Sequence, residues 1–263
     1  MSMKYIFLGC TNFSAEVLFH LTDNKFWPEA IFTIPKEFQI SYSDDKVKNT
    51  NFFDFKAVSI LDSIPIYTVE SSLNKSISDY SEIISEIKPD VIIVVGWYYM
   101  VPKEIRDLAI KGAWGIHASL LPNYAGGAPL VWAIINGEEK TGVSLFKLES
   151  GIDDGPIIAQ KEISINKDDH IKEVYKKATE ASKILLLKSL KNIDKLIPKV
   201  QNKKEIVVYP QRSPKDGLID WEKSPKEIYD FIRAQSKPYP GAFFIVGNKK
   251  VIIWDVTIET IKD

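Results

Sequence analysis

The sequence predicts an α/β protein: a Rossmann-like open sheet in an N-terminal domain, followed by a small mixed C-terminal appendage that ends in a β-hairpin. Three observations predict it. Short apolar runs at 5–8, 30–34 and 91–95 read as strands buried on both faces, as in parallel sheets. Between them lie helical patterns, such as Ala15, Val17, Leu18 and Leu21, whose apolar residues share one helix face. Near the end, Gly247-Asn248 separates the apolar runs 243–246 and 251–256 as a tight hairpin turn does.

The elements follow in order. The first strand, 5–8, leads into a helix that Asn12 or Ser14 can cap. The connecting Gly9-Cys10-Thr11-Asn12-Phe13 lacks G-x-G-x-x-G, which argues against a dinucleotide site. Residues 36–51 are polar and unpatterned and read as a long surface loop. A helix at 53–62, a strand at 65–69 and a helix at 77–87 come next, the last with Tyr80, Ile83, Ile84 and Ile87 on one face. The run 91–95 is the most strand-like in the chain and belongs at the sheet centre. It feeds Gly96-Trp97-Tyr98-Tyr99-Met100, just beyond a strand's carboxyl end, where open α/β sheets bind ligands. Those aromatics either wall a flat ring or pack on the next helix, and both readings stay open. A helix at 102–110, strands at 113–116, 142–148 and 157–165, and a long helix at 169–193 complete a domain spanning 1–197. Asp168 and Asp169 read as caps of that long helix, not as metal ligands. The charged stretch 198–205 reads as a linker. The appendage, 206–263, holds a helix at 225–234 and the hairpin.

Composition narrows the function. Of 263 residues, 34 are Lys or Arg and 35 Asp or Glu, for a net charge of -1. That balance argues against a protein that grips nucleic acid by its phosphates, although a local basic patch would suffice. The one cysteine, Cys10, excludes an internal disulfide, fits a reducing compartment and reads as a small packing residue. The apolar start is too short for a signal peptide, no run is long enough to span a membrane, and a cytoplasmic location is expected. No His, Cys or carboxylate cluster has metal-ligand spacing.

The chemistry concentrates in 115–160. His117 follows the 113–116 strand. A loop rich in Pro and Gly comes next, with Leu120-Leu121-Pro122 and Gly126-Gly127-Ala128-Pro129, and later a tight acidic turn, Gly151-Ile152-Asp153-Asp154-Gly155. A His at a strand end and an Asp at a turn can meet across a sheet edge, where the carboxylate orients the imidazole for general-base work. Taken singly, such a His is more often structural and such a turn only a turn.

The strings taken together say more. Ile116-His117-Ala118-Ser119-Leu120-Leu121-Pro122, Gly127-Ala128-Pro129, Glu139-Lys140-Thr141-Gly142-Val143 and Gly151-Ile152-Asp153-Asp154-Gly155 resemble the folate-dependent formyltransferases. That family includes methionyl-tRNA formyltransferase, glycinamide ribonucleotide transformylase and the formylases of nucleotide-linked amino sugars. The resemblance runs without an evident gap through 115–160. In the appendage, the segment from Arg212 to Trp221, Ile232-Arg233-Ala234 and Pro238-Tyr239-Pro240-Gly241-Ala242-Phe243 look most like the sugar-nucleotide formylases.

The resemblance implies formyl transfer from 10-formyltetrahydrofolate, without a metal, to the primary amine of a nucleotide-linked amino deoxy sugar in surface-glycan or lipopolysaccharide synthesis. It carries the base over to His117 and its partner to Asp153. Folate contacts fall on Trp97, Tyr98, Met100, Ser119, Leu120, Leu121, Pro122 and Gly151. Substrate contacts fall on Asn12, Phe13, Tyr124, Gly126 and Gly127. Arg212, Asp216 and Arg233 are polar candidates for structure or substrate contact. Methionyl-tRNA formyltransferase carries a larger C-terminal barrel, whereas here the sequence stops after one hairpin; with the near-neutral charge, this argues against tRNA. The hairpin also offers a strand edge for a homodimer.

One position departs from the family pattern, which is Asn-x-His. Gly115 stands where the family has Asn and cannot supply a side-chain donor to a developing oxyanion. A backbone N–H, an ordered water or Asn123 is the expected substitute; the rival reading is a non-catalytic folate-binding relative.

Overall fold

The computed structural model describes residues 3–40, 43–70 and 76–261. Strand β1 (Tyr5–Leu8) alternates its side chains between two cores: Tyr5 and Phe7 enter one, Ile6 and Leu8 the other. The same period-2 division holds for β6 (Val91–Val94), and all four of its residues are buried. Continuous apolar runs are therefore what a sheet covered on both faces requires.

The remaining elements are α1 (Asn12–Asp23), β2 (Ala30–Thr33), β3 (Glu37–Ile40), β4 (Ser43–Lys48), β5 (Ile66–Thr68), α2 (Ser81–Ile87), α3 (Lys103–Arg106), β7 (Ala113–His117), β8 (Ala125–Gly126), α4 (Pro129–Ile135), β9 (Lys140–Lys147), β10 (Ile157–Ser164), α5 (Ile171–Lys191), β11 (Val208–Tyr209), α6 (Pro225–Ala234), β12 (Ala242–Val246) and β13 (Lys249–Ile253). The main sheet has 7 strands in the order β10-β9-β7-β6-β1-β2-β5, so β6 is central as expected. From β7 to β5 the pairings are parallel; β9 runs antiparallel to both β7 and β10. One face carries the cluster that joins α1, α4 and α5, with Leu18, Leu21, Val131, Ile134, Val174 and Leu186; the other carries Ile84 of α2 and Ile105 of α3.

Several expected elements change. The surface loop at 36–51 is instead the hairpin β3–β4, with 41–42 outside the described residues. Buried Phe38 draws it onto the protein by packing its ring on Tyr98 and Tyr99. The expected helix at 53–62 is two short 3-10 turns, Phe55–Ala57 and Ser59–Leu61, because Val58 between them is extended. The 77–87 helix opens with a 3-10 turn, Ile77–Tyr80, and stops at left-handed Lys88, which precedes Pro89. The 102–110 helix shortens to Lys103–Arg106, since Ile110 N and Lys111 N turn back to the carbonyls of Pro89 and Asp90.

Caps differ too. Thr11, rather than Asn12 or Ser14, caps α1; Ser14 is the reciprocal partner and sends its hydroxyl to Val95 O at 2.6 Å. His170, rather than Asp168 or Asp169, occupies the N-cap of α5, with its N–H donating to Glu173 Oε2 at 3.1 Å. The Asp169 carboxylate instead accepts from Asn166 N and pairs with Lys177. In the appendage, α6 begins as the sequence indicates, with Ser224 capping and Pro225 first, and β12 pairs with β13. Among the described residues no helix is long and apolar enough to cross a membrane. The Cys10 thiol is fully buried, donates to Gly96 O at 3.2 Å and is pushed up to about 12 by burial, as befits a packing residue.

Candidate active site

Strand β7 ends on His117, which is 9% exposed. Its imidazole has a hydrogen-bond acceptor at each nitrogen. Nε2 lies 2.7 Å from Tyr124 O, and a carbonyl can only accept, so Nε2 bears a hydrogen. Nδ1 faces Asp153 Oδ2 at 3.4 Å, within ion-pair reach but longer than a good hydrogen bond. The same carboxylate oxygen accepts Gly126 N at 2.8 Å. A neutral ring can donate to one of these acceptors; only a ring with both protons can donate to both.

The local backbone brings these groups together. Tyr124, Gly126 and Ala128 all have positive φ, at 55, 88 and 47°, and fold the loop so that a carbonyl and an N–H point back at the pair. Asp153 is itself left-handed, with φ 50°. Such backbone in a non-glycine residue costs energy and is held only where its surroundings fix it.

Beneath the loop lies a buried polar knot. Ser144 pairs across the strands with His117 and donates to Ser119 O at 2.7 Å, while Leu121 N donates to Ser144 Oγ at 3.0 Å. Gln160 Nε2 reaches Ser144 Oγ and Leu121 O at 2.9 and 2.8 Å. The Ser119 hydroxyl donates to Asn123 O at 2.6 Å. These bonds fix the segment that carries the cis Leu121–Pro122 bond.

Several of the expected site residues have protein partners of their own. Ser119 and Leu121 are 0% and 3% exposed; the first closes the loop through Asn123 O and the second packs with Ala125 and Phe146. Leu120 is half-buried against Gly142. At Gly126 and Gly127 a Cβ would lie 2.5 Å from Tyr209 O and from Gln211 Cα respectively, because residues 208–211 cross over them. The Tyr124 ring stacks on Tyr209, and its hydroxyl donates to Glu138 at 2.7 Å; burial and that bond push its ionisation above the usual phenol range.

Trp97, Tyr98 and Met100 border the same carboxyl edge. Met100 is 69% exposed, and Trp97 Nε1 is buried without a partner. Tyr98 and Tyr99 pack on Phe38, so the aromatic loop partly closes on the β3–β4 hairpin, while Trp97 and Tyr99 also pack against the cluster that holds Ile105 of α3. Pro122 is half-buried and Gly151 exposed. Asn12 is exposed and donates from Nδ2 to Asn51 Oδ1 at 2.8 Å, and Phe13 is half-buried beside the core. Gly115 lies two positions before His117, on the same sheet face. A Cβ there would meet Leu148 Cδ2 at 2.8 Å and Phe146 Cε1 at 3.2 Å, so apolar side chains fill that space.

Sequence reasoning did not find Ser144, Gln160, Gln201 and Tyr209. Gln201 is 6% exposed, and its Nε2 donates to Asp153 O and Gly155 O, both at 2.7 Å. Nothing in a charged run of Lys, Gln and Asn marks it beforehand. Among the described residues no group of three or more His, Cys, Asp or Glu is placed to hold a metal ion.

The His117–Asp153 pair thus stands at the carboxyl edge of an open α/β sheet. Comparison with known proteins gives the family. Residues 3–190 match the formyl transferase family and residues 212–263 match the formyl transferase C-terminal domain; the chain belongs to this family. The bifunctional polymyxin resistance protein ArnA of Wigglesworthia glossinidia brevipalpis is 38% identical over 223 residues, covering 84% of this chain. This chain spans about a third of that relative, 34% of its length. Two solved structures share the fold. The N-formyltransferase from Helicobacter canadensis, in complex with folinic acid and dTDP-3-aminofucose, is 22% identical, with TM-score 0.65 over 89% of this chain and 80% of its own. Methionyl-tRNA formyltransferase from Clostridium thermocellum is 19% identical, with TM-score 0.67 over 98% and 94%.

Proposed function

We propose that the protein moves a formyl group from 10-formyltetrahydrofolate to the primary amine of a nucleotide-linked amino sugar, with His117 as the base and Asp153 as its partner. One observation carries the reading: His117 at the end of β7 and Asp153 in the 151–155 turn, far apart in sequence, meet at the carboxyl edge of the sheet with Nδ1 3.4 Å from Oδ2. A carboxylate so placed can orient the imidazole of a general base that takes a proton from an attacking amine. Nε2 is committed to Tyr124 O, which leaves Nδ1, beside Asp153, as the receiving atom.

The folate supplies the formyl carbon and, as N10 departs, accepts a proton. This chain's residues bind, orient and move that proton. The unpartnered Trp97 Nε1 is a donor on this loop for an acceptor on a flat heterocycle. Asn12 and Phe13, in the first turn of α1, are assigned to the amine substrate. The amine nitrogen forms the new bond to the formyl carbon and loses one proton to His117, which can return it to N10, so charge and protons balance.

Gly115 sharpens the reading. A side-chain donor to a developing oxyanion is worth about 3 kcal/mol, yet Leu148 and Phe146 occupy that space. Asn123 is exposed one residue before the carbonyl that holds His117 and is our choice for the substitute donor. Gly115→Asn must displace Leu148 and bury an amide among apolar groups. Turnover is therefore expected to fall by about tenfold, from roughly 1–2 kcal/mol of unpaired polar burial. A rise in single-turnover rate would mean that the oxyanion position lacks a donor, and would favour a weakened or non-catalytic relative.

The direct test incubates the protein with 10-formyltetrahydrofolate and UDP-, dTDP-, GDP- and CMP-linked amino sugars, with methionyl-tRNA alongside, and uses mass spectrometry to find one added formyl group. Product on a sugar nucleotide is expected. Product on tRNA alone would reassign the substrate, and folate binding without any product would favour the binding-only reading.

A further inference from the structure

We propose that residues 199–211 are a strap that sets the geometry of the His117–Asp153 pair, with Gln201 and Tyr209 as its positioning residues; the inference rests on the reading of that pair as the reacting site. The strap lies between the two family matches, which end at 190 and begin again at 212. Its composition is that of a solvated spacer, but its contacts are not. Lys199 exchanges two backbone hydrogen bonds with Ile157, at 2.8 and 2.7 Å. Two residues on, Gln201 is buried while its neighbour Val200 is 75% exposed.

Each end of the strap holds one half of the pair. At the first end, both N–H groups of the Gln201 amide are used, one on Asp153 O and one on Gly155 O. They bridge the turn in which Asp153 is held left-handed, and so fix where its carboxylate points. The orientation leaves Gln201 Oε1 buried without a partner.

At the other end, β11 pairs with β8, and Gly127 N donates to Tyr209 O at 2.8 Å. The Tyr209 ring stacks on Tyr124 with centroids 4.8 Å apart, and Asn136 Nδ2 donates to both phenol oxygens. Tyr124 carries the carbonyl that engages His117 Nε2, and Gly126 carries the N–H that engages Asp153. The strap thus touches neither reacting atom, but it fixes every backbone group that does. The Nδ1 to Oδ2 separation, 3.4 Å, is already long, so a small shift at either end breaks the contact.

The test uses the full chain with Gln201→Met, which keeps the volume and removes both donors, and Tyr209→Leu, which keeps the backbone pairing and removes the stack. Val200→Ser is the control. We expect kcat to fall at least tenfold in both variants, with KM for folate within twofold. The ring nitrogen shifts of 15N-labelled His117 should also move, reporting a changed share of protons between Nδ1 and Nε2, while the control matches wild type. Lower melting temperature with unchanged His117 signals and unchanged turnover per folded molecule would overturn the strap as a positioning device. If the wild type forms no product with any amine, the transferase reading fails on its own. The His117 signals then still decide: movement in the variants supports the strap, and no movement refutes it.

Discussion

Replacing His117 by alanine is expected to lower turnover by about 10²–10⁴-fold, the usual contribution of a positioned base, while folate affinity stays within a few-fold. The separation follows from where the ring sits. His117 is buried behind the loop and contacts Tyr124 O, Asp153 and its strand neighbours, whereas the groups assigned to folate, Trp97 and Tyr98, stand on the loop after the adjacent strand. Asp153→Asn should be the milder change. An amide oxygen can still accept from Gly126 N, so the turn keeps its anchor, but the negative charge beside the protonated ring is gone. Steady-state kinetics with the sugar nucleotide identified by mass spectrometry, and equilibrium dialysis of folate, measure the two quantities independently. A loss of less than fivefold in His117→Ala would remove the ring from the proton path. A parallel loss of folate affinity would instead mean that the substitution had collapsed the loop through Tyr124.

The elements that could be read from sequence are those whose signal is periodic and local. The strands 5–8, 30–33 and 91–94 are apolar at every position but Thr33 because two layers cover them, and α5 shows its buried stripe from Ile171 to Leu190. Where tertiary contacts decide, the reading failed. Phe38 turns a polar stretch into a hairpin by docking on Tyr98, an interaction that spans distant residues and leaves no local pattern. The site divides in the same way. His117 and Asp153 stood out by chemical type at a strand end and a turn, and the chain folds them within 3.4 Å of each other. Ser144, Gln160, Gln201 and Tyr209 act through backbone carbonyls and N–H groups, which every residue has, so their importance appears only when the partners are known. Gly126 and Gly127 also give room for residues 208–211 to cross the loop. A glycine says that something approaches the backbone closely; the sequence does not say what.

Gly155→Ala is expected to impair both the fold and the reaction, and the two losses test the site from the side of Asp153. A Cβ at Gly155 would lie 1.8 Å from Lys147 O, a backbone atom that cannot swing aside as a side-chain tip can. Lys147 belongs to β9, and its N–H bonds Pro156 O at 2.9 Å, so the clash falls where the 148–156 turn closes onto the sheet. Overpacking at such a point typically costs about 1–3 kcal/mol, readable as a lower melting temperature or denaturant midpoint. Relief requires the turn to lift, and Gly155 O is one of the two carbonyls held by Gln201. Asp153 would move with it, and a displacement of about 1 Å at a reacting pair can cost about 10²-fold in rate. Gly247→Ala is the contrast. That residue also has a left-handed backbone, φ 60°, but nothing stands within 4 Å of where its Cβ would be, and it sits in the C-terminal hairpin turn. It should lose about 1 kcal/mol to backbone strain alone and keep its turnover. Equal turnover in the two alanine variants, corrected for folded fraction, would mean that the reaction does not depend on where the turn holds Asp153. The carboxylate would then serve to anchor Gly126, and His117 would work against Tyr124 O alone.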